Sequence, residues 1–234
     1  MSGSRDLYDV ISRRRDVRTE FVDAPLDEAT LWRVLDAAHR APSVGLTQPW
    51  DFVVVQDRAA RTRFAAHVEE QRQDFAAGLD DERAARFGDI TVQGILGAAA
   101  GIVVTCDPRR AGTQVLGAAT IPDTVLFSTC LAVQNLWLAA TAEGWGVGWV
   151  SFYREPFLRE LLGIPGPVRP VAWLCVGPVS HLEQVPDLER HRWRTRRPLE
   201  EAVHRERFGA TQVPGAMKNS SAMLSGSRKE MPLP

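Results

Sequence analysis

Residues Thr124 to Glu143 constrain the fold more than any other stretch of the chain. TVLFSTCLAVQNLWLAATAE reads as a helix stopped by Gly144. It is apolar nearly all round, through Leu126, Leu131, Ala132, Val133, Leu136, Trp137, Leu138, Ala139 and Ala140. A helix without a polar face has to be enclosed, either in a large core or at a subunit interface. A chain of 234 residues, 44% of them hydrophobic, can supply one such core, and one domain over residues 1–208 is the expectation.

The elements around that helix follow from local patterns. Ser4 to Arg14 reads as a short helix with Leu7, Val10 and Ile11 on one face. Asp27 caps a second helix, with Leu31, Val34, Leu35 and Ala38 at helical spacing, ending near His39 because Pro42 restricts Ala41. The runs Phe52–Val55, Gly101–Cys106, Val147–Phe152 and Val171–Val176 read as strands, the first two of them buried. Arg58 to Arg86 reads as helix interrupted near Gly78, and Pro156 opens a further helix. Gly88–Ala100 has no clear period, Asp107–Thr124 reads as a binding loop or lid, and Leu199–Phe208 reads as a last helix. Residues 209–234 shift to Ser, Gly, Pro, Lys and Met and are expected to form a disordered tail. Four strands among helices point to an α+β sandwich rather than a doubly wound sheet.

Residue usage excludes several chemistries. The two lysines, Lys218 and Lys229, both lie in the tail. Phosphate-loop nucleotide hydrolysis and Schiff-base chemistry therefore lack their lysine, and arginines must do any anion binding. Net charge is −1, so no basic field argues for nucleic acid. The five histidines are scattered and Cys106, Cys130 and Cys175 are widely spaced, so neither a metal site nor a disulfide framework is expected. Each cysteine is expected to be a small buried hydrophobe. No apolar run is expected to cross a bilayer, and the start MSGSRDLYDV has no apolar signal core, so a cytoplasmic protein is the expectation.

The candidate chemistry sits in four places. In ISRRRDVRTEF, residues 11–21, Arg13, Arg14, Arg15 and Arg18 surround the single acid Asp16. The stretch is either a solvated basic turn or a site for a phosphate or carboxylate. Arg190, Arg192, Arg194 and Arg196 alternate, so an extended segment would point all of them to one side, as a solvated edge or as further phosphate ligands. Gln48-Pro49-Trp50 offers ordinary turn chemistry or an amide able to read a heteroaromatic edge. The glycines of GWGVGW, residues 144–149, leave a helix and enter a strand, the reverse of a dinucleotide fingerprint. They serve a cap and tight turn, or let backbone approach a flat ring.

The segments RRRDVRTEF, APSVGLTQPWDFVVV and VQNLWLAATAEGWGVGWVSF, followed by WRTRRPLEEAVHRERF, resemble the flavin-dependent nitroreductase superfamily. Within it they look most like the 5,6-dimethylbenzimidazole synthases, because Asp16 stands inside the arginine motif and VGWVS ends in Ser151. The resemblance implies a homodimeric sandwich with a mixed central sheet flanked by helices and FMN sites at the subunit interface. Arg14, Arg15, Arg18 and Arg196 would hold the phosphate and ribityl chain. Ser43, Val44, Gly45 and Gln48 would approach from the other subunit, and Trp149, Val150 and Ser151 would line the ring. Asp16 and Ser151 would be catalytic. The implied reaction is fragmentation of reduced FMN by O2 to dimethylbenzimidazole and erythrose 4-phosphate, with a separate flavin reductase using NAD(P)H to supply the substrate. An ordinary NAD(P)H-dependent nitroreductase or dehalogenase is the alternative, and a non-catalytic flavin binder is a third. Among arginines, Asp16 is expected to have a lowered pKa and to stay ionised.

Overall fold

The computed structural model describes residues 7–112 and 115–210. The tail expected over 209–234 lies outside the described residues except for Gly209 and Ala210. Four strands form one sheet: β1 (Trp50–Val55), β2 (Ala100–Cys106), β3 (Trp145–Val150) and β4 (Arg169–Pro178), in the order β1-β2-β4-β3. Every neighbouring pair is antiparallel, so the sheet is not mixed as expected. The long helix-bearing connection from β2 to β3 steps over β4, which keeps these two parallel strands from pairing. The parallel component shrinks to one bridge, Asp16 with Val147, on the outer edge of β3.

Helices cover both faces of the sheet. α2 (Glu28–His39) and α5 (Thr124–Ala142) pack on one face through Leu31, Val34, Ala132, Leu136 and Ala140 against Ile102, Val104, Leu174 and Val176. α3 (Arg58–Ala77), α4 (Asp81–Gly88) and α6 (Glu155–Leu162) cover the other through Phe64, Val68, Phe87 and Leu158 against Val103, Trp173 and Cys175. Alternate residues of β2 and β4 thus feed opposite cores, as the period of a strand requires. A short α1 (Leu7–Arg13) leans on α5. Asp27 caps α2 as expected, its carboxylate accepting the Thr30 N–H at 3.0 Å.

Several expectations need correction. β1 is an edge strand, so Phe52, Val53 and Val54 are only half-buried. α5 does reach the length and apolarity of a membrane span, yet it is a core helix enclosed by α2 and the sheet, with Phe127, Cys130 and Leu131 left exposed. Cys130 is therefore not buried, unlike Cys106 and Cys175. Leu199–Phe208 makes only a single 3-10 turn, Leu199–Glu201. Its apolar residues Leu199, Val203 and Phe208 stay exposed, so no tertiary packing supports a helix there. A four-residue helix, α7 (Asp187–Arg190), forms in the stretch read only as polar.

The stretch without a period, 89–99, is organised by a buried cation. Arg61, 5% exposed, donates to the carbonyls of Ile95, Ala98 and Ala99, which no helix or strand satisfies.

Two glycines fix how closely neighbouring chain approaches the sheet. A Cβ on Gly101 would lie 2.5 Å from the Trp173 ring, and one on Gly148 would lie 2.0 Å from the Val17 carbonyl oxygen. The second contact is backbone and cannot yield without moving the segment that carries Asp16. Gly148→Ala is expected to lower stability by about 2–3 kcal/mol through overpacking, measured as a fall in the denaturant midpoint. Gly166→Ala, where nothing lies within 4 Å, is the neutral control.

Candidate active site

The arginine segment is pinned to the fold by its backbone. After α1 ends at Arg13 the chain extends along the outer edge of β3. The Val17 N–H donates to the Val147 carbonyl at 3.0 Å, and the Trp137 indole N–H donates to the Arg15 carbonyl at 3.0 Å. Val17 is buried, and Glu20 closes the following turn by accepting the N–H groups of Arg18 and Thr19, each at 3.1 Å. Nothing in this segment is free to drift as a solvated turn would.

Asp16 sits at the centre of that arrangement. Its Oδ1 accepts the Trp149 backbone N–H at 2.9 Å, and its Oδ2 accepts from Arg18 Nη2 at 2.6 Å. Two residues beyond Trp149, Ser151 lies just past the end of β3 and is exposed. Arg18 joins the two neighbourhoods. It lines a cavity of about 230 Å³ with Asp16, Glu183, Asp187 and Arg190. It also lines a second of about 220 Å³ with Ser151, Phe87 and Trp193.

Burial raises the Asp16 carboxyl above its ordinary range, and Arg18, the Trp149 N–H and Arg14 only partly oppose it. The expectation of a lowered value is wrong, because counting nearby arginines omits the cost of removing a carboxylate from water.

The four arginines named for an anion play different parts. Arg14 lies over the Trp137 ring, its guanidinium carbon 4.9 Å from the ring centroid. Arg15 donates to the carbonyls of Ser12 at 2.7 Å and Arg14 at 2.8 Å and to that of Gln184, while its buried Nε has no partner. Arg18 also faces Asp187, with Nη1 at 3.7 Å from Oδ2. Burial holds Arg14 and Arg15 below the usual guanidinium range, and repulsion from Arg196 adds to the depression of both. The C-terminal arginine is thus near enough to Arg14 and Arg15 to repel both.

The alternating arginines do not share a side. α7 and the positive φ of Arg192 break the extended segment. Arg190 turns to Glu183 and Asp187, Arg194 joins Arg83 and Arg86, and only Arg196 reaches Arg14 and Arg15.

The loop residues lie elsewhere. The Ser43 hydroxyl accepts the Gln48 N–H at 3.0 Å, and the Val44 N–H donates to Ser128 Oγ at 3.0 Å. Gly45 has φ +53, and a Cβ there would meet Val115 at 2.4 Å. The Gln48 amide donates to the His39 carbonyl at 3.1 Å. This loop touches α5 at Ser128, whereas the arginine segment touches it at Trp137, a rise of about 14 Å along the helix. One chain does not bring the two groups together. Trp149 is half-buried beside Trp137, but Val150 is 1% exposed and faces the core under α3 and α6. Its side chain cannot line a site, contrary to expectation.

Sequence reading missed Trp137, Glu183 and Asp187. Trp137 was visible only as one more apolar position of α5, and the two acids carried no signal beyond standing near arginines. Among the described residues, no group of three or more His, Cys, Asp or Glu could hold a metal ion.

The donor set suits a phosphorylated ligand. Arg14, Arg15 and Arg196 repel one another, and a buried Arg15 Nε lacks an acceptor. A phosphate relieves that repulsion, and guanidinium groups bind it with paired, directed hydrogen bonds.

Comparison with known proteins agrees with this architecture. Residues 11–178 match the Nitroreductase family. The chain is 38% identical to a 5,6-dimethylbenzimidazole synthase of Rhodospirillum rubrum, over 83% of this chain and 92% of the relative. It is 34% identical to one of Rhodobacter capsulatus, over 83% and 93%. A crystal structure of oxidized iodotyrosine deiodinase bound to FMN and 3-iodo-L-tyrosine superposes with a TM-score of 0.65 at 22% identity, covering 77% of this chain and 94% of that one.

The raised Asp16 carboxyl has a stability consequence of definite sign. The folded state holds that proton more tightly than the unfolded chain, so this group's contribution is complete at low pH and is lost as pH rises through the raised value. Asp16→Asn removes the loss. Relative to wild type, the variant is expected to gain stability as pH goes from about 4 to about 8, checked by denaturant midpoints at both ends. A difference independent of pH would show that burial does not raise this carboxyl.

Proposed function

This chain belongs to the nitroreductase family, and from that premise we propose that it is a 5,6-dimethylbenzimidazole synthase, fragmenting reduced FMN with O2 to dimethylbenzimidazole and erythrose 4-phosphate. The observation that carries the reading is the anchored Asp16. It is a part-buried carboxyl held at both oxygens, by Trp149 N–H and Arg18, at the strand end that leads to Ser151. The relatives named as synthases, matched over most of their length, support the same reaction.

Reduced FMN, when bound, supplies the electron-rich ring that reacts with O2 and the ribityl chain that is cut. The chain's own residues hold and protonate. Arg14, Arg15 and Arg196 are the phosphate ligands, with Arg18 between them and Asp16. Trp137 fixes the plane of Arg14 from below. Asp16, whose burial shifts the carboxyl toward the protonated form, is the group placed to exchange a proton with the substrate. Ser151 supplies a hydroxyl near Arg18 in the shared cavity and orients the ring. Val115 and Leu116, in the stretch expected to form the lid, lie against Val44 and Gly45 and would shield that side of a bound flavin.

The same proposal includes a homodimer. The Ser43–Gln48 loop and the arginine segment lie at opposite ends of α5, so a second copy is needed to complete each site. Phe127 and Leu131 of α5 and Leu7, Tyr8 and Ile11 of α1 are large apolar side chains left exposed, and such a contact would cover them. The reduced flavin comes from a separate NAD(P)H-dependent reductase, in the cytoplasm.

Mixing the full chain with reduced FMN and admitting O2 tests the reaction by product analysis. Dimethylbenzimidazole is expected from the wild type. Intact FMN together with NAD(P)H-driven reduction of a nitroaromatic would replace this reading with the nitroreductase one. Asp16→Asn is expected to bind FMN with affinity within a few-fold of wild type and to lose at least about 100-fold in product formation, the usual scale of a lost acid–base group. Arg196→Ala is expected to weaken FMN binding by about 10-fold or more, the scale of one charge-assisted hydrogen bond. Sedimentation of the full chain reports the dimer; a monomer with full activity would remove the second copy from the site.

A further inference from the structure

We propose that Asp187 is a positioning residue for Asp16, acting through Arg18: it faces one terminal nitrogen of the guanidinium while Asp16 takes the other, and so divides that cation between two carboxylates. The inference deepens the fragmentation reading and rests on it only for what Asp16 does to substrate.

Arg18 lies between the two acids. Its Nη2 is 2.6 Å from Asp16 Oδ2, and its Nη1 is 3.7 Å from Asp187 Oδ2. The other oxygen of Asp187 faces the opposite way, to Arg190 Nη2 at 2.6 Å and His191 Nε2 at 3.4 Å. Arg190 in turn meets Glu183 Oε1 at 2.6 Å. Charges therefore alternate from Asp16 through Arg18, Asp187 and Arg190 to Glu183. The Arg18 and Asp187 side chains are only 15% and 17% exposed, so solvent ions screen them weakly.

The remaining charged groups of the cavity are engaged or peripheral. Arg15 gives its terminal nitrogens to carbonyl oxygens, and Glu20 accepts the N–H groups of its own turn. Asp89 lines the cavity from the stretch after α4. Asp187 is thus the only acid besides Asp16 that forms an ion pair with Arg18 among the described residues.

The consequence is electrostatic. An aspartate with an arginine to itself is locked as an anion and is a poor proton donor. With Arg18 shared, burial dominates at Asp16 and the negative charge of Asp187 pushes the same way, against Arg18, the Trp149 N–H and Arg14. Asp187 also stands on the strap that carries Trp193 and Arg196, which is tied down where Arg15 donates to the Gln184 carbonyl.

The test reads Asp16 directly. In the full chain labelled with 13C at aspartate carboxyls, the resonance lost in Asp16→Asn identifies Asp16, and its pH titration needs no flavin. In Asp187→Asn that midpoint is expected to fall by about one pH unit, and in Asp187→Glu to return to the wild-type value. An unchanged midpoint in Asp187→Asn overturns the proposal. If that variant does not fold, Arg190→Ala removes a cation from the same chain of charges and is expected to raise the midpoint; no change, or a fall, overturns it. In the reaction with reduced FMN and O2, the alkaline limb of product yield is expected to move down with the midpoint. A loss of yield equal at every pH would mean a merely structural role and overturns it. A shifted midpoint in a chain whose wild type gives no dimethylbenzimidazole would sustain the positioning role and sink the fragmentation reading.

Discussion

The hydrogen bond from the Trp149 backbone to Asp16 is the contact on which the site depends. It ties a residue near the start of the chain to a strand formed much later, and it uses a backbone donor that an edge strand would otherwise offer to solvent. The bond forms only because Val17 lies against Gly148 at a distance no side chain would permit. Trp137 contributes from the opposite side, giving its indole N–H to the Arg15 carbonyl and its ring face to Arg14. A carboxyl, a cation and an edge strand are thus fixed to each other by backbone geometry rather than by flexible side chains.

Much of the fold was legible because its signals are local. Asp27 caps α2, four apolar runs become the four strands, and the apolarity of Thr124–Glu143 identified the helix that everything else encloses. What failed depends on partners distant in sequence. Residues 89–99 have no period because their carbonyls are satisfied by Arg61, some 30–40 positions away. Leu199–Phe208 has a helical pattern but no surface to pack on. The antiparallel sheet follows from the order in which strands were laid down, which no run of residues encodes.

The site divides in the same way. Residue types and motifs located Asp16, Ser151 and the arginines, and Arg196 does approach Arg14 and Arg15. Sequence could not show that the neighbouring arginines of the alternating run diverge, because Arg192 takes a positive φ. Nor could it weigh burial against charge at Asp16, where burial wins. Val150 belongs to the core although both its neighbours in sequence face the site or solvent, a direct result of strand alternation.

α5 has one more consequence. The Ser128 hydroxyl receives the loop after α2, and Trp137 carries the arginine segment, both on a single unbroken helix. Such a helix behaves as a stiff rod, and the interval between those two attachment points is fixed when it forms. In the proposed dimer each helix serves two sites at once, its loop end one and its arginine end the other, and holds them at a fixed spacing. The two sites of such a dimer are joined by a rod without a hinge, so neither can be repositioned independently of the other.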